Sequence, residues 1–143
     1  MTPELDHPIR TVRDLAQVWE FIDGGHGYDA PQMFAVVIDA DDRLIPTVVQ
    51  IYDEEFEDGP DEEAMRQFLA VHDAALAGGV SGASVAVMRA RPGGSAFTAQ
   101  DRAWCAMTHR LMGEMRCGTR PLFFATDRTV GVVPPDVLLG ATG

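Results

Sequence analysis

The sequence predicts an α/β fold, a three-layer α/β/α domain around a central mixed sheet. Three observations carry this expectation. Apolar runs of strand type alternate with long amphipathic segments in the order helix, hairpin, helix, strand, helix, hairpin, the pattern of a sheet covered by helices. The middle strand, Val85–Met88, lacks polar alternation, as a strand buried on both faces does. Finally, 143 residues with 46% hydrophobic content supply one real core, the size of a single domain. The expected organisation is one domain over residues 1–143, with an N-terminal helical unit at 11–24 and a core at 32–139. No repeat, low-complexity block or linker interrupts it.

Thr11 caps the first helix, with Asp14 three residues on in a near capping-box arrangement. Leu15, Val18, Trp19 and Ile22 share one face, and Gly24-Gly25 stop the helix, so it spans about Val12–Ile22. His26 and Tyr28 follow beside Asp23 and Asp29. These are metal-binding residue types, but without ligand spacing an ordinary loop is the better reading. Met33–Ile38 is a strand, Asp39–Asp42 a turn and Leu44–Tyr52 a returning strand. Pro46 near the start of that second strand points to an edge or a bulge.

Asp53–Glu63 is strongly acidic and reads as a solvated loop running into a helix. Pro60 suits a first helical turn, and Asp61, Glu62 and Glu63 meet the positive end of the helix dipole. Met65, Phe68, Leu69, His72 and Leu76 form one apolar stripe that stops at Gly78-Gly79, so His72 reads as a core histidine rather than a ligand. After Val85–Met88 comes a loop, Arg89–Phe97. Thr98 caps the third helix, with Asp101 three residues later, and Trp104, Cys105, Thr108, Leu111, Met112 and Met115 share its face. Gly118 is expected to end it. Leu122–Ala125 is a strand, Asp127–Thr129 a turn and Val130–Val133 the returning strand. Pro134-Pro135 ends the sheet before a short tail containing Val137–Leu139.

The net charge of -11 argues against nucleic acid as a partner, because phosphate binding needs a positive footprint. No run reaches the length of a membrane helix, and the first ten residues lack the basic-then-apolar order of a signal peptide. The expectation is a cytoplasmic protein with no membrane partner. Cys105 and Cys117 fit a reducing compartment. Read as lying across one helix and its cap, they sit about 18 Å apart, beyond disulfide reach.

The stretch Ser84–Met115 is the most informative. It reads as a buried strand, an Arg-Pro-Gly-Gly loop and a well-capped helix, and such corners are where α/β proteins build sites. Ile38–Ile45 (IDADDRLI) is similar to a first hairpin Leu-Asp-Thr-Lys-Asn-Arg-Leu-Ile. Arg89–Gly94 (RARPGG) resembles His-Asn-His-Pro-Ser-Gly with one residue fewer in the loop. Thr98-Ala-Gln-Asp101 resembles Ser-x-x-Asp. With the helix end and strand at Ala75–Met88, these segments resemble the bacterial RadC-like branch of the JAB/MPN metallopeptidase superfamily, over roughly Met33 to Asp136. The resemblance implies a zinc held by two histidines and an aspartate, a glutamate that activates water, and a serine at the oxyanion. Carried over by position, the histidines become Arg89 and Arg91, the aspartate is Asp101 and the serine is Thr98. Pro31 and Gln32 stand where the glutamate is expected. Arginine stays protonated and offers no lone pair. At about 4 Å and an effective dielectric of about 20, each guanidinium repels a cation by roughly 4 kcal/mol per unit of metal charge. The expectation is therefore a degenerate domain with no metal, no cofactor and no metal-hydrolase chemistry.

Three functions are compatible with these residues. The first is a non-catalytic interaction domain serving a protein partner or a second copy of itself. The second is a small anionic ligand bound at Arg89, Arg91, Gly93 and Gly94 together with the helix start at Thr98 and Asp101; structural pairing of Arg89 with Asp101 is the simpler alternative. The third is an enzyme with other chemistry, for which Cys105 and His109 lie one helical turn apart, although Cys105 falls on an apolar face. No nucleophile elbow, phosphate loop, dinucleotide fingerprint or deaminase motif is present.

Overall fold

The computed structural model describes residues 8–23, 31–52, 62–79, 83–94, 96–127 and 129–138. In chain order the elements are α1 (Val12–Asp23), β1 (Gln32–Ile38), β2 (Leu44–Tyr52), α2 (Glu62–Gly79), β3 (Ser84–Ala90), α3 (Ala99–Met112), β4 (Gly118–Thr119), β5 (Phe123–Ala125), β6 (Val130–Val132) and α4 (Pro135–Leu138). Among the described residues the sheet has six strands in the order β2-β1-β3-β5-β6, with β4 also beside β3. β1 runs antiparallel to β2 and β3, while β3 runs parallel to β4 and β5. The sheet is therefore mixed, as expected.

Side-chain alternation along the strands divides the core into two halves. Phe34, Val36, Ile38, Ala86, Met88, Ala90, Phe123 and Ala125 pack with Leu15, Val18 and Trp19 of α1. Met33, Ala35, Val85, Val87 and Phe124 pack with Met65 and Leu69 of α2 and with Trp104, Cys105, Leu111 and Met112 of α3. Helices thus cover both faces, and all seven residues of β3 are buried. Thr11 and Asp14 exchange hydrogen bonds, so the first helix starts with a full capping box.

β2 forms one edge of the sheet among the described residues. Val36 pairs with Val48 but Val37 pairs with Ile45, so Pro46 and Thr47 bulge out of register. Edge and bulge thus coincide at Pro46, which has no amide proton to donate. In the turn before β2, the Asp39 carboxylate accepts the Asp41 and Arg43 amides, and Asp42 takes a left-handed φ of 64°, which aspartate tolerates. Arg120 then draws distant segments together, donating to Ser84 Oγ, Ile9 O and Asp42 Oδ1 at 2.9, 2.6 and 3.0 Å.

Several expectations need correction. Arg89 and Ala90 belong to β3 rather than to the loop, because pairing with both β1 and β5 continues through Ala90. α3 ends at Met112 with Gly113 as its C-cap, not at Gly118. The segment after it is turned aside by the Asp73 carboxylate of α2, which accepts the Arg116 and Cys117 amides. Gly118 instead opens β4. β4 and β5 make one interrupted strand along β3, since Ser84 pairs with Gly118 whereas Met88 pairs with Phe123, one residue further on. Pro121 lies in the gap. The tail after Pro134 forms α4, and its Val137 is buried.

On α2, Met65 and Leu69 are buried. His72 is half-buried, with its Nδ1 against Phe68 O at 2.9 Å and its ring edge-on to Phe68. The Leu76 side chain, the loop holding His26 and Tyr28, and most of the acidic stretch from Asp53 to Asp61 lie outside the described residues. No helix among the described residues is long and apolar enough to cross a membrane.

The fully buried Phe123 sits in the α1 half of the core, so Phe123→Ala is expected to cost about 3–5 kcal/mol. Val71→Ala, at a position 70% exposed, should stay within about 0.5 kcal/mol of the parent. Urea unfolding of both variants measures the contrast.

Candidate functional site

The alternation that places Val85 and Val87 against α3 places Arg89 and Arg91 on the same side of the sheet. Across from them, Thr98 opens α3 with a capping box: the Asp101 amide donates to Thr98 Oγ1 at 3.0 Å, and the Thr98 amide donates to Asp101 Oδ2 at 2.8 Å. That cap turns the Asp101 carboxylate back toward the strand end.

There it meets both arginines. Arg89 Nε donates to Asp101 Oδ1 at 2.9 Å, and Arg91 Nε donates to Oδ2 at 2.7 Å. The side chains of Arg89 and Asp101 are 1% and 0% exposed, and that of Arg91 is 11% exposed. A buried ion pair needs close geometry and further hydrogen bonds to offset the loss of water. This one has both. Arg91 also donates from Nη1 to Pro92 O at 2.9 Å and from Nη2 to Ala96 O at 2.5 Å, so each of its nitrogens already has a protein acceptor.

Two guanidiniums share one carboxylate, and aromatic faces take up the remaining charge. Arg89 Cζ lies 5.7 Å from the Trp104 ring centre and Arg91 Cζ lies 5.3 Å from that of Phe124. Phe97 stacks on Phe124 at 4.3 Å. Weakly hydrated guanidinium tolerates such burial against rings better than an ammonium does. Neither aromatic was singled out as a site residue from the sequence. Trp104 is one helical turn beyond Asp101, and that spacing could have flagged it. Phe124 lies directly across from Arg89 in the sheet register, a fact absent from the linear sequence.

The loop is pinned separately. Gly93 takes φ +99°, a Cβ there would come 3.3 Å from Arg91 Nη1, and its amide donates to Asp127 Oδ2 at 2.8 Å. A residue with a side chain would be strained there. Gly94 is exposed, with open space where its Cβ would be. Thus Arg89, Arg91, Thr98 and Asp101 form one hydrogen-bonded unit, Gly93 bounds it, and Gly94 stands outside it.

The local electrostatics follow from these contacts. Burial pushes the Asp101 carboxyl upward, but the Thr98 amide, Arg91 and Arg89 outweigh it and hold it below the usual carboxylate range. Burial pushes the Cys105 thiol up to about 12, and Cys117 is raised to about 11 by burial and the adjacent Asp73. His109 is exposed one turn beyond the buried Cys105, so the imidazole faces solvent while the thiol stays protonated in the core.

The corner does not suit a zinc ion. Its two strand-end donors are protonated guanidiniums, and both oxygens of its carboxylate are already engaged. No group of three or more His, Cys, Asp or Glu among the described residues could hold a metal. The groove between α2 and α3, about 150 Å³ and lined by Arg66, Leu69, Asp73, Leu111 and Glu114 among others, has its polar groups paired internally: Arg66 with Glu114, and Asp73 with backbone amides. Comparison with family models, curated proteins and solved structures returned no match.

Asp101→Asn is expected to cost about 3–5 kcal/mol at neutral pH, because it leaves buried guanidinium charge uncompensated. The depressed carboxyl supplies stability that is complete above its unfolded pKa and is lost as pH falls through its lower folded-state pKa. The gap between parent and variant should therefore close on acidification below the usual carboxylate range, as followed by urea unfolding against pH. Native Cys105 should resist iodoacetamide at pH 8 and react only on unfolding, which labelling and mass spectrometry distinguish.

Proposed function

We propose that this chain is a non-catalytic interaction domain, a degenerate relative of the RadC-like JAB/MPN metallopeptidases, whose strand-to-helix corner has become a structural lock. The observation that carries this reading is the saturation of Asp101. Its carboxylate takes hydrogen bonds from Arg89, Arg91 and Thr98, the positions that the resemblance matches to two zinc-binding histidines and the oxyanion serine. The residues that would run the chemistry instead hold β3 to α3. With no base, nucleophile or metal ligand free at that corner among the described residues, the surface becomes the part that acts, and a protein partner is the class of ligand it serves.

An anion at this corner would have to compete with Asp101 for the arginines, at the cost of a buried and unpaired carboxylate. That cost weighs against the small-ligand alternative. The buried Cys105 thiol weighs against the enzyme alternative in the same way.

Metal uptake tests the proposal. The purified protein should hold no stoichiometric zinc by elemental analysis, and zinc should leave its melting temperature unchanged. Arg89→His combined with Arg91→His, which returns imidazoles to the strand end beside Asp101, should gain zinc-dependent stabilisation if the resemblance is one of descent. Stoichiometric zinc in the unaltered protein would overturn the reading.

A further inference from the structure

We propose that Glu114–Cys117, the link between α3 and β4, is a strap that opens and closes over the groove between α2 and α3, with Asp73 as its latch. This goes beyond the interaction reading and does not depend on it.

The link has a glycine at each end, Gly113 at the α3 cap and Gly118 at the start of β4. Positions at element ends absorb the backbone rotation of a hinge. Its hydrogen bonds to α3 are short-range, from the Glu114 and Met115 amides to the Leu111 and Met112 carbonyls. Among the described residues, its long-range hydrogen bonds all come from α2. Arg66 Nη1 donates to Glu114 Oε1 at 2.7 Å. About two turns further along the same helix, Asp73 Oδ1 accepts the Arg116 and Cys117 amides at 2.9 and 2.8 Å. Asp73 Oδ2 lies 3.7 Å from Arg116 Nε, and the Cys117 thiol donates to the same carboxylate.

The two ties are unequal. Arg66 and Glu114 are 44% and 51% exposed, and an ion pair so open to water holds weakly. The Asp73 side chain is 16% exposed, and a carboxylate accepting backbone amides makes the stronger kind of bond. The Cys117 amide, with that of Arg116, outweighs burial and holds the Asp73 carboxyl below the usual range. The latch is therefore charged at neutral pH.

The groove gives the motion a consequence. Its volume is about 150 Å³, and Met115 of the strap forms part of its wall beside Leu69, Ala70 and Leu111. Leu69 and Leu111 are 2% and 3% exposed, and Met115 and Cys117 pack against the same core cluster. Lifting the strap takes Met115 off that wall and opens the groove onto apolar core. A short link with few ties and exposed hydrogen bonds is the kind of segment that opens without global unfolding.

Hydrogen exchange by NMR and cysteine alkylation by mass spectrometry, both on the full chain, test the proposal. In Asp73→Ala, the Glu114 and Met115 amides should exchange at least about tenfold faster than in the parent, although neither bonds to Asp73. Asp73→Asn keeps an acceptor oxygen without the charge, and its exchange should stay within about threefold of the parent. In the parent and both variants, iodoacetamide should label Cys117 at least about a hundredfold faster than Cys105, which waits for global unfolding. The proposal is overturned if only the Arg116 and Cys117 amides respond to Asp73→Ala, because lost hydrogen bonds then explain the change without a moving strap. It is overturned if Asp73→Asn matches Asp73→Ala, which would leave charge and not the acceptor in control. It is also overturned if Cys117 and Cys105 label at one rate, since the link then opens only when the whole domain does. The comparison of the two cysteines in the parent stands even where a variant fails to fold, and none of these outcomes bears on the zinc test.

Discussion

A carboxylate cut off from water must find all of its partners inside the protein, and Asp101 imposes that demand on everything around it. It sits in the first turn of α3 with no exposure. Its two oxygens need donors from outside the helix, because the cap alone supplies one. Arg89 and Arg91 provide them, and to do so β3 must extend through Ala90 and its end must abut the start of α3. The guanidiniums in turn need cover, which Trp104 and Phe124 supply, and Phe97 closes over Phe124. One ion-pair cluster thus sets the distance between a strand, a helix and the loop that joins them.

The rest of the architecture follows from burying β3 on both faces. A strand made of Ser84, Val85, Ala86, Val87 and Met88 before its charged end needs apolar partners on each side, and α1 covers one face while α2 and α3 cover the other. β1 and the interrupted β4–β5 strand complete its hydrogen bonding. Arg120, in the gap between β4 and β5, uses that break to reach Ser84, Ile9 and Asp42. Among the described residues the sheet ends on β2 at one edge and on β6 at the other, and β2 is the longer of the two.

This division of labour bears on function. The strand-to-helix corner is cross-braced, with every nitrogen of Arg91 engaged. Cross-bracing trades reactivity for rigidity.

Much of this was legible in the residues. The order of the longer helices and strands, the limits of β2, the cap at Thr98 and the placement of Cys105 in the core all follow from local rules: period, capping and glycine stops. So did the neighbourhood of Arg89, Arg91 and Asp101, since residues two apart at a strand end share a face and a capped helix begins nearby. The end of α3 did not, because Met115 continues the apolar period past Gly113 while a carboxylate on another helix takes the amides that follow. Nor did the strand identity of Arg89, because a charged side chain looks like loop until its counter-ion is known. The sequence by itself determined which residues would be apolar, where the chain would turn, and that two positive charges and one negative charge would come close together. Only the tertiary structure decided that these charges cancel one another in a dry interior rather than wait for a ligand, because that depends on aromatic cover and cross-strand register, which local sequence rules do not carry.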